Sequence, residues 1–494
     1  MSGLSGTLKR ATSGSASRDP ESMLIVANRK DGLGGRLLAM ANAKALADRL
    51  GYRFGFTWSD TKIIDEGSHT VDLVGKIFDA TFIEKHWMGE KIKKAGFGFV
   101  GDRDFTPAGM RAAERQRRLR GWICDEFHAL DFFHDDNAEP VARSEVLRAF
   151  GFSPAVREAM DAAGRCRFPG PMAALHLRSG DIIYGQNRRR LVFTEKVIPS
   201  VLAKAIIAEL SSRGLTTLLI GQDEAALDYL TAETGAMRTK DFGVGQFSEE
   251  VLNAFFEMAL MARCQQIHAS GSIYAVVASL MGGKPCIGTS GLFSHSRAVE
   301  IITDELRERP ADYHRLDAAF GYRWAFRSME DEISPAHARE LLERAQAFDP
   351  ENDAYDLKIA AAYFHEGNHA AGEAILKSLM TSQWPQGTRM PLPMMDMLTT
   401  KHGGYRAMAR DFDGFLAAAR AGHPYAMACS AYILVEALDD RASAMEMMAR
   451  LVRMEPGNPI FRKIRRRVSM GKKPEAGRLA KARWRLGLIR PPWF

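Results

Sequence analysis

The chain has 494 residues, 46% hydrophobic and 26% charged, with a formal net charge of +7. That length exceeds one hydrophobic core and implies about two to four domains of ordinary globular composition. Its longest apolar runs, such as Tyr274 to Met281, fall well short of the ~18 residues that span a bilayer, and five scattered cysteines without metal-ligand spacing point to reduced thiols in a cytosolic protein.

Residues 1–21 are rich in Ser and Gly, with Lys9, Arg10 and Arg18, and lack the apolar centre of a secretory signal; a disordered lead-in is expected. Met23 to Ala27 is a short apolar run that predicts a strand. The glycine-rich turn Asn28 to Arg36 follows, and Leu37, Leu38, Ala41, Ala45 and Leu46 then recur at helical spacing, with Gly51 suited to the C-cap. Tyr52 to Trp58 alternates and predicts a second strand. Strand, glycine loop, helix and strand open a doubly wound α/β domain, set at 22–165. The rest of that domain reads as mixed helices and irregular chain, with a charged break around Arg111 to Arg120 and a helix over Pro154 to Ala163.

A second α/β unit occupies 166–330. Strands are predicted at Met172–Leu177, Thr216–Gly221, Gln266–Ser270 and Lys284–Gly288, and helices at Val197–Ser212, Glu249–Ala262 and Ile273–Met281. Two such units in succession predict a cleft between two Rossmann-like lobes. Composition changes near Ser334. Ala347 to Ala374 matches one helix–turn–helix repeat of tetratricopeptide type, with a weaker echo over Ala444 to Asn458, so an all-helical domain is expected over 334–468. It serves either as packing or as a surface for a protein partner.

The tail, 469–494, is basic. Between Arg462 and Arg490 twelve Lys/Arg meet one acid, Glu475, a local +11 that leaves −4 for the rest of the chain. Interleaved Phe461, Ile464, Trp484, Leu486, Leu488, Ile489, Trp493 and Phe494 suit peripheral contact with an anionic membrane surface. A solvated basic end is the alternative. No nucleic-acid module accompanies the tail, so nucleic acid is not an expected partner.

The chemistry concentrates at strand ends. His176-Leu177-Arg178-Ser179-Gly180-Asp181 leaves an apolar strand, and its Arg offers a planar fork of donors to phosphate. The structural alternative is a strand end whose Arg178 and Asp181 simply pair. Asp223 ends the next strand, and Ser270-Gly271-Ser272 opens a helix whose N–H groups and hydroxyls suit a phosphate. Gly34 and Gly35 let a ligand approach a helix N-terminus, with Arg36 as an added cation, although Leu37 stands where a dinucleotide fingerprint needs its last Gly. His268 reads as a structural strand residue, and Arg188-Arg189-Arg190 as a solvated loop or a grip on an acidic acceptor or the donor. P-loop, paired-cysteine and G-x-S-x-G motifs are absent, and no metal site is expected.

As an ordered set, these residues resemble the fucosyltransferases with a GT-B-like fold, over roughly residues 23–300. The likeness is carried by Gly32-Leu-Gly-Gly-Arg-Leu37 and its Ala-rich helix, by His176, Arg178 and Asp181 of an H-x-R-R-x-D-type motif, by Gln222-Asp223-Glu224, and by Met258–Cys264 with Ser270-Gly-Ser-Ile-Tyr274. The resemblance implies an α/β, GT-B-like pair of Rossmann-like domains followed by an all-α domain. It implies transfer of a sugar, foremost fucose from GDP-fucose, with inversion and without metal or other cofactor. Arg178 would meet the pyrophosphate and stabilise the leaving group, His176 the nucleoside or ribose, Ser270 and Ser272 the phosphates, and Asp223 the nucleotide edge. The second Arg of the family motif is Ser179 here, which leaves other GDP-sugars, and a UDP-sugar, open. Asp31 is the first candidate for catalytic base and Glu195 the second. The expected acceptor is a cell-surface glycan, such as a lipopolysaccharide, capsule or exopolysaccharide precursor, met at the cytoplasmic face of the membrane. The rival reading is a non-catalytic scaffold on a degenerate transferase fold.

Overall fold

The structure is a computed structural model that describes residues 23–59, 71–100, 105–125, 127, 129–135, 143–383, 393–401 and 406–470. The expected lead-in and the tail beyond Met470 lie outside the described residues.

Four short strands form the first sheet: Leu24–Ala27 (β1), Arg53–Phe56 (β2), Phe97–Val100 (β3) and Gly121–Cys124 (β4). All pair in parallel, in the order β2-β1-β4-β3. Parallel strands covered on both faces read as continuous apolar runs, and β1 is buried throughout. Around the sheet lie Leu33–Leu50 (α1), Val74–Ile77 (α2), Ala80–His86 (α3), Pro107–Arg117 (α4), Arg143–Arg148 (α5) and Pro154–Arg165 (α6).

Two expectations are corrected here. The charged break around Arg111–Arg120 is the helix α4, capped by Thr106 Oγ1, which accepts from Gly109 N at 3.1 Å, and started by Pro107. Its arginines are exposed, whereas Glu114 turns inward and accepts from the Tyr52 hydroxyl at 2.9 Å and Trp122 Nε1 at 2.6 Å. Second, α1 begins at Leu33, so Gly34 and Gly35 belong to its first turn and not to the preceding loop.

The second sheet has β5 (Met172–Leu177) at its centre, in the order β7-β6-β5-β8-β9. In chain order the elements after β5 are Gly180–Ile183 (α7), Ser200–Ser212 (α8), Thr216–Gly221 (β6), Glu224–Thr234 (α9), Met237–Arg238 (β7), Glu250–Ala262 (α10), Gln266–Ala269 (β8), Ile273–Gly282 (α11), Cys286–Ile287 (β9), His295–Glu308 (α12) and Arg315–Met329 (α13). Every pairing is parallel. The lobes meet where α1 packs on α11, and α6 packs along α10. One apolar core therefore runs from Leu37 and Phe56 of the first lobe to Phe255 and Val277 of the second.

Eight further helices complete the chain: Pro335–Phe348 (α14), Asp353–His365 (α15), His369–Ser382 (α16), Pro393–Thr399 (α17), Phe412–Arg420 (α18), Pro424–Glu436 (α19), Arg441–Met454 (α20) and Pro459–Met470 (α21). Most pack on their chain neighbours, and Ser334, Asn352, Asn368 and Asp440 cap helix N-termini. Leu341, Leu342, Ala345, Tyr355 and Ile359 enter the same core as Leu175, Leu202 and Trp324 of the second lobe. The arginine run joins the two parts. Arg188 lies 3.4 Å from both Asp349 and Glu351, Arg189 lies 3.7 Å from Asp353, and buried Arg323 donates to the carbonyls of Arg188 and Arg190 at 2.6 Å. Phe461 and Ile464 are likewise buried in the helical array, which takes them out of any membrane-facing stripe. Among the described residues no helix is long and apolar enough to cross a membrane.

Candidate functional site

Short side chains bring the two lobes into contact. A Cβ on Gly34 would lie 3.0 Å from Tyr274 Cα and 3.1 Å from Tyr274 N, so the first turn of α1 abuts the first turn of α11. The first turns of both helices, whose N–H groups lack intrahelical partners, thus lie at one seam. The His176 ring, at the end of β5, lies 5.6 Å from the Tyr274 ring and closes the seam from below. The Tyr274 hydroxyl donates to Ala254 O at 2.7 Å and reaches Glu257 at 3.2 Å, which fixes the ring. Burial raises the Glu257 carboxyl above its usual range.

Around this seam stand charges from both lobes. Gly180, at φ 41°, lets the chain turn after β5 and presents Arg178 beside Asp181. The pair is loose, at 3.7 Å, and Asp181 also accepts a hydrogen bond from Asn187. From the first lobe come Arg29 and Asp31, joined at 2.7 Å, with Arg29 stacked 3.8 Å over Phe127 and donating to Asp125 O at 2.6 Å. Between them is Lys196, a residue the motif reading passed over. Burial, then the charges of Arg178 and Arg29, bring its ammonium down to about 8, against the opposing pull of Asp181 and Asp31. Lys196 sits at the end of a short 3₁₀ segment, its Cγ close to the Gly271 turn that opens α11. Nothing in a lone Lys after Glu195 signals this from sequence.

Other expected site residues are engaged elsewhere. Arg36, taken as an added cation for the ligand, is 1% exposed and donates to the carbonyls of Asp31 at 2.7 Å, Ser59 at 2.5 Å and Lys30 at 3.2 Å. It shapes the β1–α1 loop from inside. Gly35 leaves room for the Asp31 carboxylate, which a Cβ there would meet at 2.4 Å. Asp223 caps α9 through Ala226 N at 3.1 Å and accepts from the Tyr184 hydroxyl. Ser272 Oγ caps α11, and the Ser270 hydroxyl donates to Glu195 O. The Glu195 carboxylate, half-buried and raised by burial, binds Arg327 at 3.1 Å. From Arg327 a line of ion pairs continues through Glu330, Lys358 and Asp411 to His365.

Under Arg178 is a narrow recess lined by Ser179, Asp223, Ser200 and Asp317, of about 10 Å³, room for about one water. Asp317 lies on α13, is 3% exposed and accepts from Ser200 N at 3.2 Å. Burial and the nearby Asp223 push its carboxyl up to about 7. Ser179, where a second arginine would stand in the resembled motif, is buried, and its hydroxyl has no hydrogen-bond partner among the described residues. His268 is a core residue, pushed down to about 4 by burial.

One sequence match to a zinc motif needs geometry to judge it. His365-Glu366-Gly367-Asn368-His369 has the H-E-x-x-H spacing, and that chemistry requires both histidines on one face of one helix. Here α15 ends at His365, Gly367 turns at φ 78°, and α16 starts at His369. The motif is a helix-hairpin turn. Among the described residues no group of three or more His, Cys, Asp or Glu side chains is placed to hold a metal ion.

Two all-parallel α/β sheets, joined through α1 on α11 and α6 on α10, define the class: an α/β, GT-B-like pair of Rossmann-like domains followed by an all-α C-terminal domain. No protein-family model matches the chain, and no curated protein matches it by sequence. Among solved structures, the chain is similar to the fucosyltransferase NodZ from Bradyrhizobium, at 14% identity and a TM-score of 0.34 over 55% of this chain and 97% of that one. It is also similar to POFUT1 in complex with GDP, at 11% identity and a TM-score of 0.31 over 55% of this chain and 99% of that one.

Proposed function

We propose that the chain is a glycosyltransferase that moves a sugar, foremost fucose from GDP-fucose, to a cell-surface glycan by a metal-independent inverting displacement. The observation that supports this reading is the meeting of Arg178, Lys196 and Arg29 at a seam onto which two helix N-termini open. Such a set suits a diphosphate, and preorganised donors act where charge develops on the leaving group. The donor phosphates lie against Arg178, Lys196 and the Ser270-Gly271-Ser272 turn, with His176 at the ribose and Asp223 towards the base. The acceptor oxygen forms the new bond to the anomeric carbon as the carbon–diphosphate bond breaks, and its proton passes to Asp31. Asp31 is preferred over Glu195 because its carboxylate is 42% exposed at the seam, whereas that of Glu195 is 18% exposed and held by Arg327. The chain acts in the cytoplasm, at the inner face of the membrane if its tail binds there.

Calorimetric titration with GDP, UDP and ADP tests the reading. GDP should bind best, and Arg178→Ala should abolish binding. Protonated Lys196 favours the anion, so affinity should rise as pH falls from about 9 to about 7.5, and Lys196→Met should remove that dependence. Failure of all three nucleotides to bind refutes the enzyme and leaves the scaffold reading.

A further inference from the structure

The first lobe carries a second concentration of charge, at the carboxyl ends of β1 and β4, where open α/β sheets receive ligands. Arg29, Lys30 and Asp31 leave β1, Asp125 leaves β4, and Lys91 and Lys94 come from the irregular segment ahead of β3; together they line a shallow depression of about 500 Å³. Four cations face two acids there. Asp31 is already joined to Arg29 at 2.7 Å, and Asp125, raised by burial against the pull of Lys94 and Arg29, is the one other acid among the described residues of the depression. Among the described residues, none of Lys30, Lys91 and Lys94 pairs with a carboxylate. Gathering like charges in one depression costs free energy that a bound anion offsets, and it raises the local concentration of anions. The volume is that of a small-ligand site, not of a point contact.

The depression is continuous with the seam, because Arg29 and Asp31 belong to both. The phosphates of a donor are already matched by Arg178, Lys196 and Arg29 at the seam, so Lys30, Lys91 and Lys94, which lie beyond it, answer a different negative charge. We infer that the acceptor is an acidic glycan, bearing carboxylate or phosphate groups that Lys30, Lys91 and Lys94 hold while its hydroxyl reaches Asp31. This rests on the transferase reading above.

The test is binding of a galacturonate tetramer, a phosphorylated disaccharide, a neutral galactose tetramer and a single-stranded oligonucleotide to the full chain, with GDP titrated in parallel. The parent and the double variant Lys91→Glu/Lys94→Glu are compared. At least one acidic glycan should bind about tenfold more tightly than the neutral one, and that preference should fall about tenfold in the double variant and with added salt. The uronate and phosphate arms identify which acid group is read. GDP binding should be the same in both proteins. Equal affinity for acidic and neutral glycans, an unaffected double variant, or tighter binding of a single-stranded oligonucleotide overturns the inference while GDP binding leaves the transferase standing. Absence of GDP binding in the parent overturns the transferase and, with it, the role of acceptor.

Discussion

Replacing Gly35 with alanine separates the stability of the seam from its chemistry. The change adds one methyl in the first turn of α1, which helix propensity favours by about 1 kcal/mol. The new carbon would lie 2.4 Å from Asp31 Oδ1 and 2.8 Å from its Cγ, so one group must move. The mobile one is the carboxylate, and losing its exposed pair with Arg29 costs less than about 1 kcal/mol. The two effects nearly cancel, and stability should stay within about 1 kcal/mol of the parent. On the proposed role of Asp31 as proton acceptor, turnover should not survive so well, because displacing such a group by about 1 Å can cost about a hundredfold. Gly34→Ala adds the same methyl against Tyr274 Cα at 3.0 Å and Ile273 C at 3.3 Å, backbone that cannot rotate aside. Overpacking there costs about 1–3 kcal/mol, which the propensity gain offsets only in part. Urea denaturation of both variants, with GDP release from GDP-fucose, gives the comparison. Full turnover in Gly35→Ala would remove Asp31 from the mechanism, and a Gly34→Ala protein more stable than the parent would show that the seam is loose.

Lys358→Met should cost about 3–5 kcal/mol at neutral pH, because it leaves Glu330 and Asp411, each 9% exposed, without the cation that now sits 2.5 and 2.7 Å from them. The parent holds the Asp411 carboxyl below its usual range through Lys358 and His365 despite burial, a contribution lost as pH falls. Urea midpoints of variant and parent should therefore converge as pH drops below about 4, and a gap independent of pH would refute this account. Asp317→Asn should do the reverse. Its carboxyl is raised to about 7, so the penalty for burying the charge begins above the unfolded value and is complete above about 7. The variant, which keeps an acceptor for Ser200 N, should be more stable than the parent near pH 8 by a few kcal/mol, on the order set by the shift, and little changed near pH 4. Equal effects at both pH values would sink the argument.

Much of the second lobe was legible because its strands are apolar runs bounded by turn residues, as at Met172–Leu177 and Thr216–Gly221. The first lobe was harder. Its four-residue strands β3 and β4 carry glycines at 98 and 121, where a Cβ would strike Trp122 at 2.5 Å and Leu24 O at 2.2 Å, and such positions resemble loop in a propensity count. Arg178 and Asp181 stand together just beyond β5, a placement that strand order alone makes legible. Lys196 and Asp317 have no local signature; each gains its character from burial beside residues distant in the chain. The arginine run misled for the same reason, because its acidic partners stand about 160 positions later.

The shared interior of α13, α14 and α15 also bears on how the protein comes apart. The composition changes near Ser334, yet severing the chain there would strip cover from Trp324 and part Glu330 from Lys358. The boundary between amino-acid usages is thus not a boundary between unfolding units. Anything that pulls on the helical array also loads the line of ion pairs from Asp411 to Arg327 and Glu195, beside the turn that opens α11. The array is a wall of the second lobe, tied through those ion pairs and the Ser270 hydroxyl to the turn beside the seam.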